Sequence, residues 1–382
     1  MNPAIDREIA PLLSPDAFEN IEDIAHLCTG GESPWLKSQA DVYAEFAQLK
    51  GGSHKGREKI YDRGERCRQR MGQLWNVPAK RIAFMPSAAE GMSWLARGLE
   101  WQPGDNIVTN NLEFPSVAYA WKHLRSKGVE VRMIPHNNWT VNEEDLLDAV
   151  DNRTRVLTVS HVGFYTGQCL NLERLSEGIQ KKDTLFAVDA THAAGVLRVP
   201  AGLTDLTVSS SYKWLLATHG TAPCYFSERA EDQVASTSFG WRNLKVWPEQ
   251  AAERHPEVAE QPMPEKLEPG NPAMQVIMHL DHALGILLDI GPENIENHAR
   301  DLSEQVSKGL TDLGYEVISP SIRESRSGNT CFACADGTEM VNHLEEHNVF
   351  CWGEFGRVRV STHLYNGSTD VVRLLDALKA LR

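Results

Sequence analysis

Nowhere in the 382 residues does an apolar run approach the ~20 needed to cross a bilayer as a helix. The longest candidate, "ALGILLDIG", is interrupted by Asp289. Basic residues are also in short supply. With 38 Lys and Arg against 52 Asp and Glu, the net charge of −14 argues against a nucleic-acid or anionic-membrane surface, which needs clustered cations. The start, "MNPAIDREIAPLL", lacks a basic stretch followed by an apolar core, so no export signal is visible and a cytoplasmic location is expected. Seven cysteines at irregular spacings fit reduced thiols rather than a disulfide framework. The single Cys-x-x-Cys, "CFAC" (Cys331 and Cys334), has no second pair to complete a tetrahedral metal site, so these read as small core thiols. No internal repeat or low-complexity tract is present. At 41% hydrophobic and 24% charged, the chain reads as globular, with room for a large α/β domain and a smaller one.

From about residue 75 helical and strand patterns alternate. "EGMSWLARGLE" repeats its apolar residues at helix-face spacing, "DNIVTN" follows the turn "QPGD", and "VAYAWKHLRSKG" reads as a helix stopped by Gly128. "VEVRMIP", "RVLTVSHV", "LFAVDATH" and "LTVSSSYK" are apolar, β-branched runs ending in polar residues. Apolar strands separated by helices predict a mostly parallel sheet covered on both faces, with ligands beyond the carboxyl ends of the strands. His161, Asp189, His192 and Lys213 fall at those ends. We therefore divide the chain into an N-terminal segment and site entrance (1–74), a large domain (75–272) and a small C-terminal α/β domain (273–382). The large domain ends in a long Pro- and Glu-rich connection (248–272). "YEVIS", "NTCFACAD" and "RVRVST" are expected strands of the small domain, and "TDVVRLLDALKAL" its closing helix. "KGGSHKGREK" reads as an exposed, mobile segment near the entrance.

Asp189 ends an apolar strand, where a buried carboxylate must meet a positive charge or a proton; alternatively it caps "ATHAAG". Lys213 follows at the end of another strand, either as an ion-pair partner for Asp189 or as an amine with a job. Pyridoxal phosphate needs both types: a lysine to hold it as a Schiff base and a carboxylate to keep its ring nitrogen protonated. Ser87-Ala88-Ala89 opens a helix whose free N–H groups suit a phosphate, and Ser87 with Glu90 also fits a capping box. Ser210 and Tyr212 add hydroxyls near Lys213. Phe114 is either a lid for a flat ring or a core residue, and Arg359 or Arg357 is either an α-carboxylate fork or a surface residue.

With these residues in place, the sequence resembles the class V aminotransferase superfamily of fold-type I pyridoxal phosphate enzymes, including cysteine desulfurases and isopenicillin N epimerase-like proteins. The likeness runs from about residue 75 to the C-terminus. It implies an α/β fold-type I transferase with pyridoxal 5'-phosphate as cofactor and a small amino acid as substrate. "VDATHAAG" is similar to the family's aspartate segment, making Asp189 the ring-nitrogen partner and His192 the neighbour of the ring hydroxyl. "SSSYKWLLATHG" is similar to the Schiff-base segment, with Lys213 as its lysine and Ser210 on the phosphate. "PSAAEGM" resembles the first phosphate loop, with Phe114 as the stacking residue. "EPGNP" resembles the segment that reaches a partner's phosphate, implying a homodimer in which Gly270 and Asn271 cross over. "RVRVSTHLYN" resembles the segment carrying the substrate-carboxylate arginine, here Arg359.

The chain also departs from that pattern. Desulfurases have histidines where this chain has Phe114 and Tyr212, an asparagine where it has Phe164, and a cysteine on a mobile loop where "RESRSGN" has none. Cys351 precedes Trp352 and Gly353, away from that loop. Transamination is accordingly the expected reaction, with C–S lyase (desulfurase-like) and epimerase chemistry as alternatives on the same scaffold. Two readings of other classes are a catalytically idle pyridoxal phosphate-binding protein and a zinc hydrolase built on "HLEEH" (His343 and His347). The second lacks an evident third ligand, and the stretch reads better as an amphipathic helix with Met340 and Leu344 inward, so no metal is expected.

Overall fold

The computed structural model describes residues 7–245 and 259–381. Residues 248–258 of the expected long connection lie outside the described residues. The central sheet has seven strands in the order Ile82–Met85, Ala222–Phe226, Leu206–Val208, Leu185–Asp189, Thr154–Ser160, Asn106–Asn110, Glu130–Ile134. Only Ala222–Phe226 runs against its neighbours; the other pairings are parallel. All five residues of Leu185–Asp189 are buried, as a strand covered on both faces requires. Ala88–Gly98 and Pro115–Lys122 pack on one face of the sheet, where Met92, Leu95, Val117 and Trp121 share a core with Ile107 and Val208. Leu146, Leu172, Leu175 and Ile179 pack with Val108, Val159 and Val188 in a separate core on the other. This is the expected α/β architecture.

After the helix Met274–Ile290, whose Ile277, Leu280 and Leu284 share a core with Trp75, Ile82 and Leu215, the chain forms a second layer. The helix Met274–Ile290 leads into Pro292–Asp312, and an antiparallel sheet of Trp352–Glu354, Arg357–Ser361 and Asn329–Ala333 is backed by Gly337–Glu346 and Ser368–Lys379. "YEVIS" forms no strand; it makes one bridge, Val317 with Phe332, just before Pro320. The N-terminal residues join this layer. Ala25–His26 pairs in parallel with Val349–Phe350, and Ala25 and Leu27 share a core with Phe332, Val358 and Leu374.

"KGGSHKGREK" is mostly helix: Ser53–Trp75 runs 23 residues. Its polarity hid it, because its apolar stripe is only Ile60, Cys67, Met71 and Trp75, interleaved with glycines. Gly56 is needed there, since a Cβ would lie 1.8 Å from the Leu49 carbonyl oxygen. Gly337–Glu346 carries "HLEEH": His343 Nε2 lies 2.9 Å from the Ala377 carbonyl oxygen, and His347 Nδ1 lies 2.9 Å from that of His343. Among the described residues no group of three or more His, Cys, Asp or Glu is arranged to hold a metal ion, and no helix is long and apolar enough to cross a membrane.

Candidate active site

Leu185–Asp189 and Leu206–Val208 are adjacent and parallel, so the segments that leave their carboxyl ends emerge side by side. A cavity of about 140 Å³ opens there. Its lining includes Ser87, Ala88, Ala89, Phe114, Asp189, His192, Ser210, Tyr212 and Lys213, so the fold brings all of these sequence-selected residues together. A second cavity, about 570 Å³, adjoins it through Phe114, Phe164, His192, Tyr212 and Lys213, and Arg359 lines it. Asn271 is not among them. Its Oδ1 accepts the Tyr61 hydroxyl at 2.8 Å on the protein's surface. His161 is also elsewhere, with Nε2 3.5 Å from Cys169 Sγ; burial pushes its pKa down to about 4.

Lys213 is 8% exposed, and its Nζ lies 3.3 Å from His192 Nε2 and 5.5 Å from the Phe114 ring centroid. Burial, then the Arg359 charge, push its ammonium down to about 8, against the opposing pull of Asp189 and Glu32. Asp189 Oδ1 accepts the Thr191 N–H at 2.8 Å, and burial raises the carboxyl above its usual range. The cap-like reading of Asp189 thus has a bond behind it, whereas Lys213 acts on the carboxyl only as a nearby charge. His192 is held well below its usual pKa by burial, then by Lys213 and Arg359. Its Nδ1 lies 3.1 Å from the Asn329 amide, whose oxygen accepts the Ser361 hydroxyl at 2.7 Å. With the Asn329 nitrogen therefore donating, Nδ1 is the acceptor and the imidazole proton sits on Nε2, facing Lys213.

Ser87 caps Ala88–Gly98 by accepting the Glu90 N–H at 3.2 Å, while the Glu90 carboxylate turns to Arg97 at 3.6 Å. Only half of a capping box forms, and the N–H groups of Ala88 and Ala89 are left at a helix N-terminus that lines the cavity. Tyr212 stacks on His219, with centroids 3.9 Å apart. Phe114 is 39% exposed and meets Phe164 edge-on at 5.1 Å, so it is a cavity wall and not a core residue.

Arg359 is 3% exposed, yet its only donated bond runs from Nη1 to the Phe164 carbonyl at 3.2 Å, and Nε is buried without an acceptor. Burial pulls its pKa down, and the compensating influences are thiols rather than a carboxylate. A buried cation lacking an acid is a standing demand for an anion. Arg357 is differently committed. Its Nη1 donates to the Glu354 carbonyl at 3.1 Å and its guanidinium lies 3.6 Å from the Tyr165 centroid.

Four contributors escaped the sequence reading. Thr191, inside the aspartate segment, accepts the Ser210 N–H at 3.0 Å. Glu113 accepts Ser160 N–H at 2.8 Å and the Asn110 amide at 2.7 Å, and burial lifts it to about 7. Asn329 reaches His192 from the small sheet. Gly30 lets the N-terminal segment close over the site: a Cβ would sit 2.8 Å from Ser361 Oγ and 3.1 Å from Arg359 Nε. The double glycine in "CTGGES" was the one visible signal for it.

The description of class V aminotransferases matches residues 36–374. The chain belongs to that family. It is therefore a pyridoxal phosphate-dependent enzyme of fold type I. It is 25% identical over 328 residues to an uncharacterised aminotransferase of Schizosaccharomyces pombe, covering 83% of this chain and 81% of the relative. It is 24% identical over 338 residues to the isopenicillin N epimerase of Amycolatopsis lactamdurans, covering 82% and 84%. Among solved structures, an apo cysteine desulfurase of Thermococcus onnurineus superposes with a TM-score of 0.88 at 19% identity, covering 97% of this chain and 99% of that one. The residues in the smaller cavity fit the cofactor of this family on their own chemistry. Free helix N–H groups and Ser210 suit a phosphate, a buried carboxyl with an elevated pKa suits a protonated ring nitrogen, and a buried amine beside an aromatic wall suits a ring held as an imine.

Proposed function

We propose that the protein is an aminotransferase in which Lys213 is the single base working at the substrate Cα. Pyridoxal phosphate, when bound, supplies the electron sink that loosens the bonds at that carbon. Ser87, Ala88, Ala89 and Ser210 hold the phosphate, Asp189 holds the ring-nitrogen proton, His192 Nε2–H faces the ring hydroxyl, and Phe114 covers one ring face. Arg359 binds the α-carboxylate. Lys213 Nζ, once free, would take the Cα proton and deliver it on the same face to the cofactor carbon that carries the imine, so that the amino group stays with the cofactor and the substrate leaves as a keto acid.

The observation that carries this reading is the placement of Lys213: a buried amine, neutral above about pH 8, 5.5 Å from the Phe114 ring, with no second lysine and no carboxylate besides Asp189 among the described residues lining the smaller cavity. Glu113 lines the larger cavity, but its oxygens are engaged by Ser160 and Asn110. For desulfurase chemistry a thiol should reach the substrate, and none of the seven cysteines lines either cavity. We further propose a homodimer. Among the described residues no atom lies within 4 Å of the Gly270 Cβ position, and Asn271 accepts the Tyr61 hydroxyl at the surface, an arrangement that suits contact with a second copy.

The test is an absorbance spectrum of purified protein with a panel of amino acids, wild type beside Lys213→Ala, followed by identification of products. A keto acid formed stoichiometrically with aminated cofactor supports transamination. Released sulfide or pyruvate from cysteine would replace it with a lyase, and racemised amino acid with an epimerase. A wild-type spectrum that no amino acid disturbs would leave only the idle cofactor-binding reading.

A further inference from the structure

The larger cavity has more room than a small amino acid needs. Beyond Arg359 and Lys213 its walls include Leu112, Phe164, Tyr165, Trp352 and Phe355, contributed by the large sheet's loops and by the hairpin of the small sheet, with Asn111, Glu113 and Glu354 as polar neighbours. These walls are built as a unit. His136 stacks on Trp139 at 4.9 Å and 9°, and Trp139 on Tyr165 at 5.4 Å and 8°. The Arg357 guanidinium closes the column 3.6 Å from the Tyr165 centroid and lies 5.0 Å from that of Trp352. The Tyr165 hydroxyl donates to the Phe355 carbonyl at 2.6 Å, tying the hairpin tip to the wall. Aromatic surfaces fixed in this way present an apolar slot without further ordering cost.

The charges narrow the choice. Arg357 is wholly buried, donates to the carbonyls of Glu354 and Phe164, and has aromatic rings against it, so it cannot clasp a second substrate carboxylate. Among the described residues lining this cavity Arg359 is the arginine, and with one bond, from Nη1 to the Phe164 carbonyl, it keeps donors enough for an α-carboxylate. Glu354 and Glu113 line the same cavity and disfavour an acidic side chain; against their pull on a basic one stand the bonds that already engage Glu113, from Ser160 and Asn110, and the Arg357 charge on the aromatic face.

Resting on the aminotransferase reading above, we infer that the substrate is an α-amino acid with a large apolar or aromatic side chain, seated against Phe164, Trp352 and Phe355, with Tyr165 fixing the wall behind them. An apolar slot discriminates about tenfold or more per well-held group. With holoenzyme and equal concentrations of L-phenylalanine, L-leucine, L-alanine, L-cysteine, L-aspartate and L-lysine, kcat/KM for phenylalanine should exceed that for alanine at least tenfold, with aspartate and lysine slower than phenylalanine. Phe355 stands at a hairpin tip, 67% exposed and at φ +54°, so Phe355→Asn keeps the backbone conformation and opens no core cavity. It should cut the phenylalanine-to-alanine ratio at least fivefold. If alanine, cysteine, aspartate or lysine equals or beats phenylalanine, or if the ratio survives Phe355→Asn, the side-chain assignment falls while amino-acid chemistry stands. If no amino acid reacts with a cofactor-loaded protein, the proposed function falls, and this inference with it.

Discussion

Arg359→Met separates a substrate-binding arginine from a structural one. The side chain is buried, no acid compensates it, and its pKa is pulled below the usual range. A base whose folded-state pKa is lowered is less favourable charged in the fold than in the open chain, so its charge detracts from stability. Removing it forfeits one bond to the Phe164 carbonyl, worth about 1 kcal/mol, and relieves a desolvation penalty of several kcal/mol. The variant should therefore melt within about 2 °C of wild type, or above it. Function should respond in the opposite sense. Two charge-assisted bonds to a carboxylate at about 1.5–3 kcal/mol each amount to roughly 3–6 kcal/mol. At about 1.4 kcal/mol per decade, kcat/KM for the best amino acid should fall some 100- to 20,000-fold. An amine analogue lacking the carboxylate should react equally poorly with both proteins. Arg359 is also the second-largest cause, after burial, of the low Lys213 pKa, so in protein stripped of cofactor Lys213 should move up from about 8 toward its ordinary 10.5. A loss below fivefold, a melting point several degrees lower, or an unmoved lysine would refute the assignment.

In the stripped wild-type protein, the rate of pyridoxal phosphate uptake should climb with pH and level off above a midpoint near 8, because only the neutral amine attacks; a midpoint near 10.5 would show that Lys213 is solvated like a surface lysine. Asp189→Asn keeps an acceptor for the Thr191 N–H but not the negative charge; cofactor should still bind, seen by absorbance, while kcat falls about 100- to 1,000-fold, and unchanged kcat would remove Asp189 from the chemistry. Glu268→Gln leaves Arg68 buried after losing its 2.8 Å partner, strips Arg242 of an acid at 3.2 Å and weakens the acceptor for Phe84 N–H; urea unfolding should show about 3–5 kcal/mol lost, and less than 1 kcal/mol would mean that Glu65, 3.0 Å from Arg68 Nε, suffices as its counter-charge.

The Glu268 contacts illustrate where the sequence reading stopped short. "EPGNP" was singled out for Gly270 and Asn271, yet its glutamate ties the edge strand Ile82–Met85 to the helix Ser53–Trp75. Nothing in the local pattern announces such a bond, because its partners are about 200 positions away. What was legible shares one property: it is local. Strand runs of β-branched residues, the polar residues that end them, and a serine opening a helix are periodicities and neighbours along the chain, and in a parallel sheet adjacent strand ends converge automatically. That is why Asp189, His192, Lys213, Ser87 and Ser210 could be chosen from sequence and line one cavity. The parts of the site that local patterns do not announce are non-local. Gly30 arrives from the N-terminal segment, Asn329 and Trp352 from an antiparallel sheet, and Tyr165 acquires its place only through Trp139 on one face and Arg357 on the other. A one-residue shift in the pairing of Arg357–Ser361 with Asn329–Ala333 would turn Arg359 out of the site and leave every motif in the sequence intact. The reaction class is thus written in contiguous segments, whereas the choice of substrate is written in the register between elements, and only the folded chain brings that second record together.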